Sequence, residues 1–252
     1  MNHRCVLRHA LAVGILCALP LTAAAENWTG VGEFGLAIAS GNAESENING
    51  KLAFVNESDD WKHSFGFGVL RAKGEVVGDF DGDGIPEKSK QLTANRYEFG
   101  ASSAYKMNER SSWVAALRYE NDDFAAFDSQ ATLSIGYGHQ FIDSEQTKLR
   151  TEIGPGFRRA ELAGGPTESE MILRGVVDFS HQLTDTTRLV NTLLIESGSD
   201  NTFAQNDIGV AVSINEALAL KAGLQARHNT DVWPTVKKTD TLTTLNLVYS
   251  FK

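Results

Sequence analysis

The chain has 252 residues, a formal net charge of −9 and two cysteines, and these values exclude several classes of protein. An acidic chain without a block of basic residues is poorly suited to nucleic acid, so no nucleic-acid partner is expected. Glycine is abundant, proline is rare and aromatic residues are present, a composition that argues against disorder. The composition therefore predicts a folded protein.

The first 25 residues have the pattern of a secretory signal peptide. Two arginines precede an apolar run over 10–19, and Ala23-Ala24-Ala25 offers a cleavage site. The run is too short to cross a bilayer as a helix. Both cysteines lie in this segment, so we expect residues 26–252 to form the exported protein without a disulfide or a cysteine metal site.

Apolar and polar residues alternate through most of the remaining chain. Over 133–141, 208–214 and 245–251, nearly every second residue is apolar or aromatic, and the residues between are mostly small or polar. This alternation is typical of strands with one apolar and one polar face. It predicts about twelve strands, over 28–40, 46–56, 61–74, 93–106, 111–121, 129–142, 147–160, 168–183, 188–198, 201–214, 217–229 and 239–251.

The strand lengths and connections favour a membrane barrel over a soluble sandwich. Many strands reach the length of about 9–11 residues that a tilted strand needs to cross a bilayer. Connections after even-numbered strands are short and polar, whereas those after odd-numbered strands are often longer and contain Pro86, Pro166 and Pro234. Short turns at one end and long loops at the other are typical of outer-membrane barrels. The predicted fold is all-β, a closed antiparallel up-and-down transmembrane barrel of about twelve strands, surrounded by outer-membrane lipid and lipopolysaccharide.

Aromatic residues cluster at the strand ends. Two groups are expected at the two membrane interfaces, where amphipathic rings settle at headgroup depth. The periplasmic group is Trp28, Trp61, Tyr105, Trp113, Phe141 and Tyr249, and the outer group is Tyr97, Tyr119 and Phe157.

The polar faces of the predicted strands carry many charges of both signs. In a barrel these faces enclose the interior, so ion pairs are expected to fill part of the lumen, although the sequence does not fix the pairing register. Arg174 and Asp178 are one expected pair. The expected lumen charges are Arg118, Glu120, Arg150, Glu152, Arg158, Arg174, Asp178, Glu196, Lys221 and Arg227.

Several short blocks resemble a known family. They are Trp28 to Gly35, Ser40-Gly41-Asn42, Asn95 to Phe99, Gly136-Tyr137-Gly138, Gly154 to Arg158, Glu196-Ser197 and Thr239 to Phe251. In this order they are similar to the salt-induced outer-membrane proteins of the YdiY type. The resemblance implies an outer-membrane β-barrel without an established activity, so it assigns no catalytic residue. The segment between Gly74 and Leu92 departs from the family pattern as an insertion.

The last predicted strand resembles a C-terminal assembly signal. Its alternating residues are Leu245, Leu247, Tyr249 and Phe251. The barrel-assembly machinery is the expected partner, by a mode that resembles strand addition.

A loop before the fourth strand resembles the first part of a calcium loop. Asp79, Asp81, Asp83 and Glu87 stand at positions 1, 3, 5 and 9, Gly84 at position 6 permits a sharp turn, and Ile85 offers a backbone carbonyl. Position 12 is Lys90 rather than a glutamate. Calcium is the only candidate cofactor, and a polar extracellular loop is the alternative.

The sequence offers little support for catalysis. His63, His139, His181 and His228 form no metal-binding pair in sequence, and no nucleophile motif of the G-x-S-x-G type occurs. His139 and His181 fall on the lipid-side pattern near strand ends, and His228 lies near Asp231 at the outer rim. We therefore expect a non-enzyme. The leading hypothesis is a structural barrel or a channel-type barrel for small solutes. A surface binding protein that uses the cation loop is the second hypothesis and a hydrolase is the third. The sequence leaves the oligomeric state open.

Overall fold

The computed structural model describes residues 28–39, 45–79, 81–82, 84–232 and 237–251. The predicted signal peptide lies outside these residues. The described residues form twelve strands: β1 Trp28–Ala39, β2 Ser45–Glu57, β3 Trp61–Gly78, β4 Glu87–Lys106, β5 Ser111–Asp122, β6 Phe127–Asp143, β7 Thr147–Leu162, β8 Thr167–Gln182, β9 Thr187–Ser197, β10 Thr202–Ser213, β11 Leu218–Asn229 and β12 Thr239–Phe251.

The strands close into one antiparallel barrel, which confirms the predicted fold. Each strand pairs with its neighbours in sequence, and β1 also pairs with β12, from Gly30 opposite Phe251 to Phe34 opposite Leu247. Closure gives every strand a neighbouring strand on each side, the arrangement that hydrocarbon requires of a spanning sheet. We call the end with the short connections after even-numbered strands the turn end, and the opposite end the loop end. Short turns face the periplasm in barrels of this class.

Most of the segment between Gly74 and Leu92, which the sequence analysis treats as an insertion, extends the hairpin of β3 and β4. The two strands pair as far as Gly78 opposite Glu87, well beyond the predicted strand boundaries. The register shifts once, between Ala72 and Lys73. Strand β2 accompanies β3 only to Gly74, so the hairpin tip extends beyond β2 at the loop end.

The outer face of the barrel is apolar. Exposed side chains of alternate residues cover it, among them Phe34, Leu52, Phe67, Leu133, Ile153, Met171, Ile208 and Leu245. Eight of the nine residues in the two predicted aromatic groups are also exposed: Trp28, Trp61, Tyr105, Trp113, Phe141, Tyr249, Tyr97 and Phe157. In the part of the chain that the structure describes, no helix is long and apolar enough to cross a membrane.

The seam between β1 and β12 is covered from the lipid side by an aromatic ring. Gly30 is buried, although it lies on the outer face, because the ring of Phe251 fills the space that a side chain at position 30 would occupy. Phe251 also packs against Phe54 on β2, with ring centres 5.5 Å apart. Position 30 must therefore be a glycine for the Phe251 ring to cover the seam between β1 and β12.

Candidate functional site

A belt of charged side chains crosses the interior of the barrel. We call it the charged belt, and it consists of the arginines and the carboxylates that pair with them: Arg96, Arg118, Arg150, Arg158, Arg174, Arg227, Glu120, Asp122, Glu152, Glu170 and Glu196. Side chains alternate across a strand, so the residues between the lipid-facing ones point inward. Their low exposure reflects enclosure by the barrel wall.

Two nearly inaccessible glutamates organise the belt. Glu120, 2 % exposed, accepts a hydrogen bond from Arg118 at 2.6 Å and a second from Arg227. Glu196, fully buried, accepts hydrogen bonds from Arg118 at 3.2 Å and from Thr132 at 3.3 Å. Because a buried carboxylate is costly unless it is paired, these contacts must form together for the belt to be stable.

The belt continues toward the turn end. Arg174 donates a hydrogen bond to Glu152 at 3.4 Å, and Arg150 pairs with the same carboxylate at 3.1 Å. Arg150 also lines a cavity of about 750 Å³ that opens at the turn end, where Lys106, Ser112 and Asp143 contribute to its wall. One connected set of ion pairs therefore joins the middle of the lumen to this vestibule.

A phenylalanine lies in the middle of the belt. Phe203 on β10 has no exposed surface, and the guanidinium carbons of Arg118 and Arg227 lie 4.5 and 5.3 Å from its ring centre. Cations over an aromatic face are attracted by the ring quadrupole, more strongly where water is excluded. The ring and the two arginines fill part of the lumen at this level.

A second set of contacts lies nearer the loop end of the lumen. Arg158, 2 % exposed, pairs with Glu170 and donates hydrogen bonds to the backbone carbonyls of Glu196 and Asn201. Asn201 donates to Asn229 at 2.8 Å. These bonds fasten the β9–β10 connection across the top of the belt.

Two further ion pairs line the wall opposite the belt. Lys221 pairs with Glu33 at 2.6 Å, and Lys51 lies 3.6 Å from Asp207. A cavity of about 110 Å³ lies among these four residues. A small space therefore remains among these two ion pairs.

Glu98 differs from the other lumen carboxylates near the belt. It forms no hydrogen bond or salt bridge with any residue that the structure describes, although its charge acts on Arg118 through space. It lines the 110 Å³ cavity and a second interior cavity of about 340 Å³. Its carboxylate lies 2.6 Å from the point where a β-carbon of residue 68 would stand, so Gly68 makes room for it.

The structure brings most of the predicted lumen charges together but changes one pairing. Arg174 contacts Glu152 and Glu196, not Asp178. Asp178 instead accepts a hydrogen bond from Thr192 at 2.8 Å. The sequence analysis did not identify Glu33, Lys51, Arg96, Glu98, Asp122, Glu170, Phe203 or Asp207. Alternation from their strand neighbours marks these positions as inward-facing, but only the register shows which of them meet.

The lumen is not polar throughout. Buried Ala104, Val114, Ala116, Val176 and Val248 lie on inward positions nearer the turn end. Small side chains at this level leave room for the vestibule, whereas the arginines nearer the loop end take up more of the lumen.

The other predicted sites have mixed outcomes. Asp79 accepts hydrogen bonds from the backbone N–H groups of Gly82 and Gly84, at 2.7 and 2.9 Å, and both glycines have positive φ angles. Ile85 is 63 % exposed, Glu87 begins β4, and Asp83 lies outside the described residues. Within the described residues, no three His, Cys, Asp or Glu side chains are arranged to hold a metal ion. The calcium loop remains a prediction.

His228 and the last strand have defined surroundings. His228 shares a hydrogen bond with Thr239 at 2.8 Å through Nδ1. Leu245, Leu247 and Tyr249 project from the outer face, but the backbone of β12 pairs on both sides. In the folded barrel the end of this strand, from Leu247 to Phe251, is therefore already paired with β1 and is not free for an assembly partner.

A family model for proteins of unknown function, DUF481, matches residues 32–251. This chain belongs to the DUF481 family. The chain is also 24% identical over 161 residues to an uncharacterized protein, YdiY, of Escherichia coli (strain K12). That match spans 64% of this chain and 64% of the relative. Both findings confirm the family predicted from the sequence blocks.

Solved structures with a similar fold are outer-membrane barrels. The NanC porin is 7% identical, with a TM-score of 0.51 over 89% of this DUF481 chain and 99% of the porin. The COG4313 outer membrane channel from Pseudomonas putida F1 is 11% identical, with a TM-score of 0.49 over 89% of this chain and 95% of the channel. Identities this low concern the fold alone, which here is a closed antiparallel β-barrel.

Proposed function

We propose that this DUF481 barrel is a narrow channel for inorganic ions and other small polar solutes. The observation that carries the proposal is a run of ion pairs inside the barrel with a cavity at each end. It leads from the cavity beside Glu98 to the vestibule beside Arg150. A barrel that served only as a membrane scaffold would gain stability more simply from apolar filling, because buried ion pairs often contribute less than hydrophobic side chains of the same volume. A charged lumen suits a pathway for polar solutes.

The size of the barrel agrees with this proposal. Twelve strands lie between the filled eight-stranded barrels and the sixteen-stranded porins with an aqueous channel. The NanC structure, whose fold is similar, is described as a porin, which supports a channel without indicating what passes through it.

The contacts at Phe203 set the expected size limit. We take the packed side chains of Phe203, Arg118 and Arg227 as the constriction of the pathway. Passage through it requires these side chains to change rotamer, which they do far more readily than the hydrogen-bonded wall moves. We therefore expect a small conductance interrupted by closures, and exclusion of oligosaccharides.

Glu98 gives the channel a preference for cations. Each arginine or lysine of the belt and of the opposite wall has a carboxylate partner, whereas Glu98 forms no ion pair within the described residues. Glu98 also lies directly across from Glu120 on the neighbouring strand, and like charges in that position repel each other. A passing cation relieves this repulsion.

The test uses purified protein in planar bilayers and in liposomes. We expect single-channel steps in potassium chloride, and osmotic swelling of liposomes in small solutes but not in raffinose or larger sugars. Boiled protein is the control. Refolded, heat-modifiable protein that shows neither steps nor swelling at any voltage would contradict the channel and favour a purely structural barrel.

A further inference from the structure

Three histidines repeat one arrangement on the outer face at the turn end. His63, His139 and His181 each stand two residues after an aromatic residue of the same strand. Each also lies directly across from a serine or threonine on the neighbouring strand: Ser103, Ser111 and Thr147 respectively. The repetition on three separate strand pairs points to a common role.

The imidazole rings are stacked in the same way in all three copies, and His139 has two further contacts: Tyr137 Oη lies 3.3 Å from its Nδ1, and the Phe141 ring meets it edge-on with ring centres 4.8 Å apart. His63 stacks on Trp61 with ring centres 5.7 Å apart, His139 on Tyr137 at 6.1 Å, and His181 on Phe179 at 6.4 Å. The planes differ by only 10°, 16° and 8°. Stacking on an aromatic ring restricts the orientation of the imidazole before any ligand arrives.

The cross-strand hydroxyl contacts the same nitrogen each time. Nδ1 lies 2.9 Å from Ser103 Oγ in His63, 3.3 Å from Ser111 Oγ in His139 and 2.8 Å from Thr147 Oγ1 in His181. Within the described residues, Nε2 of these rings forms no hydrogen bond. When the hydroxyl donates to Nδ1, the neutral ring carries its proton on Nε2 and presents it as a donor.

We propose that these three histidines bind the phosphate groups of phospholipid headgroups in the periplasmic leaflet. Their side chains share the outward-facing positions of Trp61, Tyr137 and Phe141, which are exposed on the lipid side. The turn end faces the periplasm in barrels of this class, and aromatic residues there lie at headgroup depth. At that depth an oriented N–H donor meets phosphodiester oxygens, to which it forms a charge-assisted hydrogen bond.

His228 supplies an internal contrast. Its Nδ1 has the same hydroxyl contact, with Thr239 at 2.8 Å, but no aromatic ring stacks on it in the part of the chain that the structure describes. It also lies at the loop end. If phosphate binding depends on the stacked aromatic ring and on a position at the turn end, His228 should not bind a headgroup phosphate.

The test is native mass spectrometry of the full barrel released from a maltoside detergent. The probes are phosphatidylglycerol and monogalactosyl diacylglycerol with the same acyl chains, so that a headgroup with a phosphate is compared with an uncharged hydroxyl-bearing headgroup without one. Single His63→Phe, His139→Phe and His181→Phe variants and the triple variant keep an aromatic side chain at each position but remove the ring nitrogens. His228→Phe is the matched control, and heat-modifiable migration on gels verifies that each variant is folded.

We expect each turn-end substitution to weaken phosphatidylglycerol binding at its own site about tenfold, as for the loss of one hydrogen bond to a charged group. The triple variant should lose up to three phosphatidylglycerol adducts and keep its galactolipid adducts. Ser103→Ala, which leaves the imidazole in place, should give a smaller loss. Unchanged phosphatidylglycerol occupancy in the triple variant, an equal loss of galactolipid, or the same loss in His228→Phe would each overturn the proposal. None of these outcomes depends on whether the barrel conducts ions.

Discussion

The Cζ atom of Arg118 lies 4.5 Å from the ring centre of Phe203, whose side chain has no exposed surface. Arg118 is held there by Glu120 and Glu196, and Arg227 approaches the same ring while it also pairs with Glu120. The ring and the ion pairs therefore support each other. Removing either should change both the width of the lumen and the stability of the barrel.

Phe203→Ala should enlarge the channel. The substitution removes the ring that two arginines cover, and the vacated volume lies at the level that we propose as the constriction. We expect a larger single-channel conductance and fewer closures in planar bilayers. Phe157→Ala, which removes an exposed ring from the lipid face, is the control and should conduct like the wild type. Equal conductance of all three proteins would place the constriction elsewhere.

Glu120→Gln should destabilise the barrel. The substitution leaves Arg118 and Arg227 without the full charge of a partner that is only 2 % exposed, and breaking a buried pair typically costs about 3 kcal/mol or more. Urea unfolding in liposomes, followed by tryptophan fluorescence, measures the loss. Glu57→Gln removes a more exposed partner of Lys62 and Lys106 and should cost less than about 1 kcal/mol. Similar costs for the two variants would mean that the belt is hydrated.

Glu98→Gln should reduce the cation preference of the channel. It removes a lumen carboxylate that has no salt bridge within the described residues, beside the 340 Å³ cavity. Loss of about 1 kcal/mol of cation attraction, the size of one charge interaction in a water-like lumen, corresponds to about a fivefold lower permeability ratio of potassium to chloride. Reversal potentials in a potassium chloride gradient measure this ratio. Glu161→Gln on the outer face is the control, and an unchanged reversal potential in Glu98→Gln would refute the assignment while leaving the channel intact.

Gly30→Ala should weaken the closing seam. The new methyl group takes space that the Phe251 ring occupies, so the ring must turn away from β1. We expect a cost of about 1 kcal/mol, the size of an aromatic packing contribution, in the same unfolding assay. At Gly66 a β-carbon would meet no atom within 4 Å, so Gly66→Ala is the matched control. In a Phe251→Ala background the Gly30→Ala cost should disappear, and an additive cost would argue against the contact.

The calcium prediction concerns the tip of the β3–β4 hairpin. If Asp79, Asp81 and their neighbours bind calcium, millimolar calcium should raise the unfolding midpoint, because a ligand that binds only the folded state stabilises it by mass action. Asp79→Asn should abolish the increase, whereas Asp59→Asn at the turn end should not. Identical midpoints for the wild type with calcium and with a chelator would rule out a site of useful affinity.

Much of the fold could be predicted from the sequence alone, because the alternation of side chains is a local property. The pattern over 133–141 or 245–251 shows which residues face lipid without any knowledge of their neighbours in space. Turn and loop lengths then give the antiparallel order, and the family blocks agree. The sequence analysis missed the extension of β3 and β4 because the segment from Gly74 to Leu92 lacks clear alternation. In the structure this extension is held by pairing between the two strands.

The interior was decided by the tertiary structure. Arg118 meets Glu196, 78 residues away, and Arg227 meets Glu120, 107 residues away. Such contacts depend on strand register and on the curvature of the closed wall, and a shift of one residue would send each of these side chains to the lipid face. For the same reason the sequence predicted charges in the lumen, whereas only the folded barrel shows that Phe203 lies against two of the lumen arginines and that Glu98 has no ion pair within the described residues.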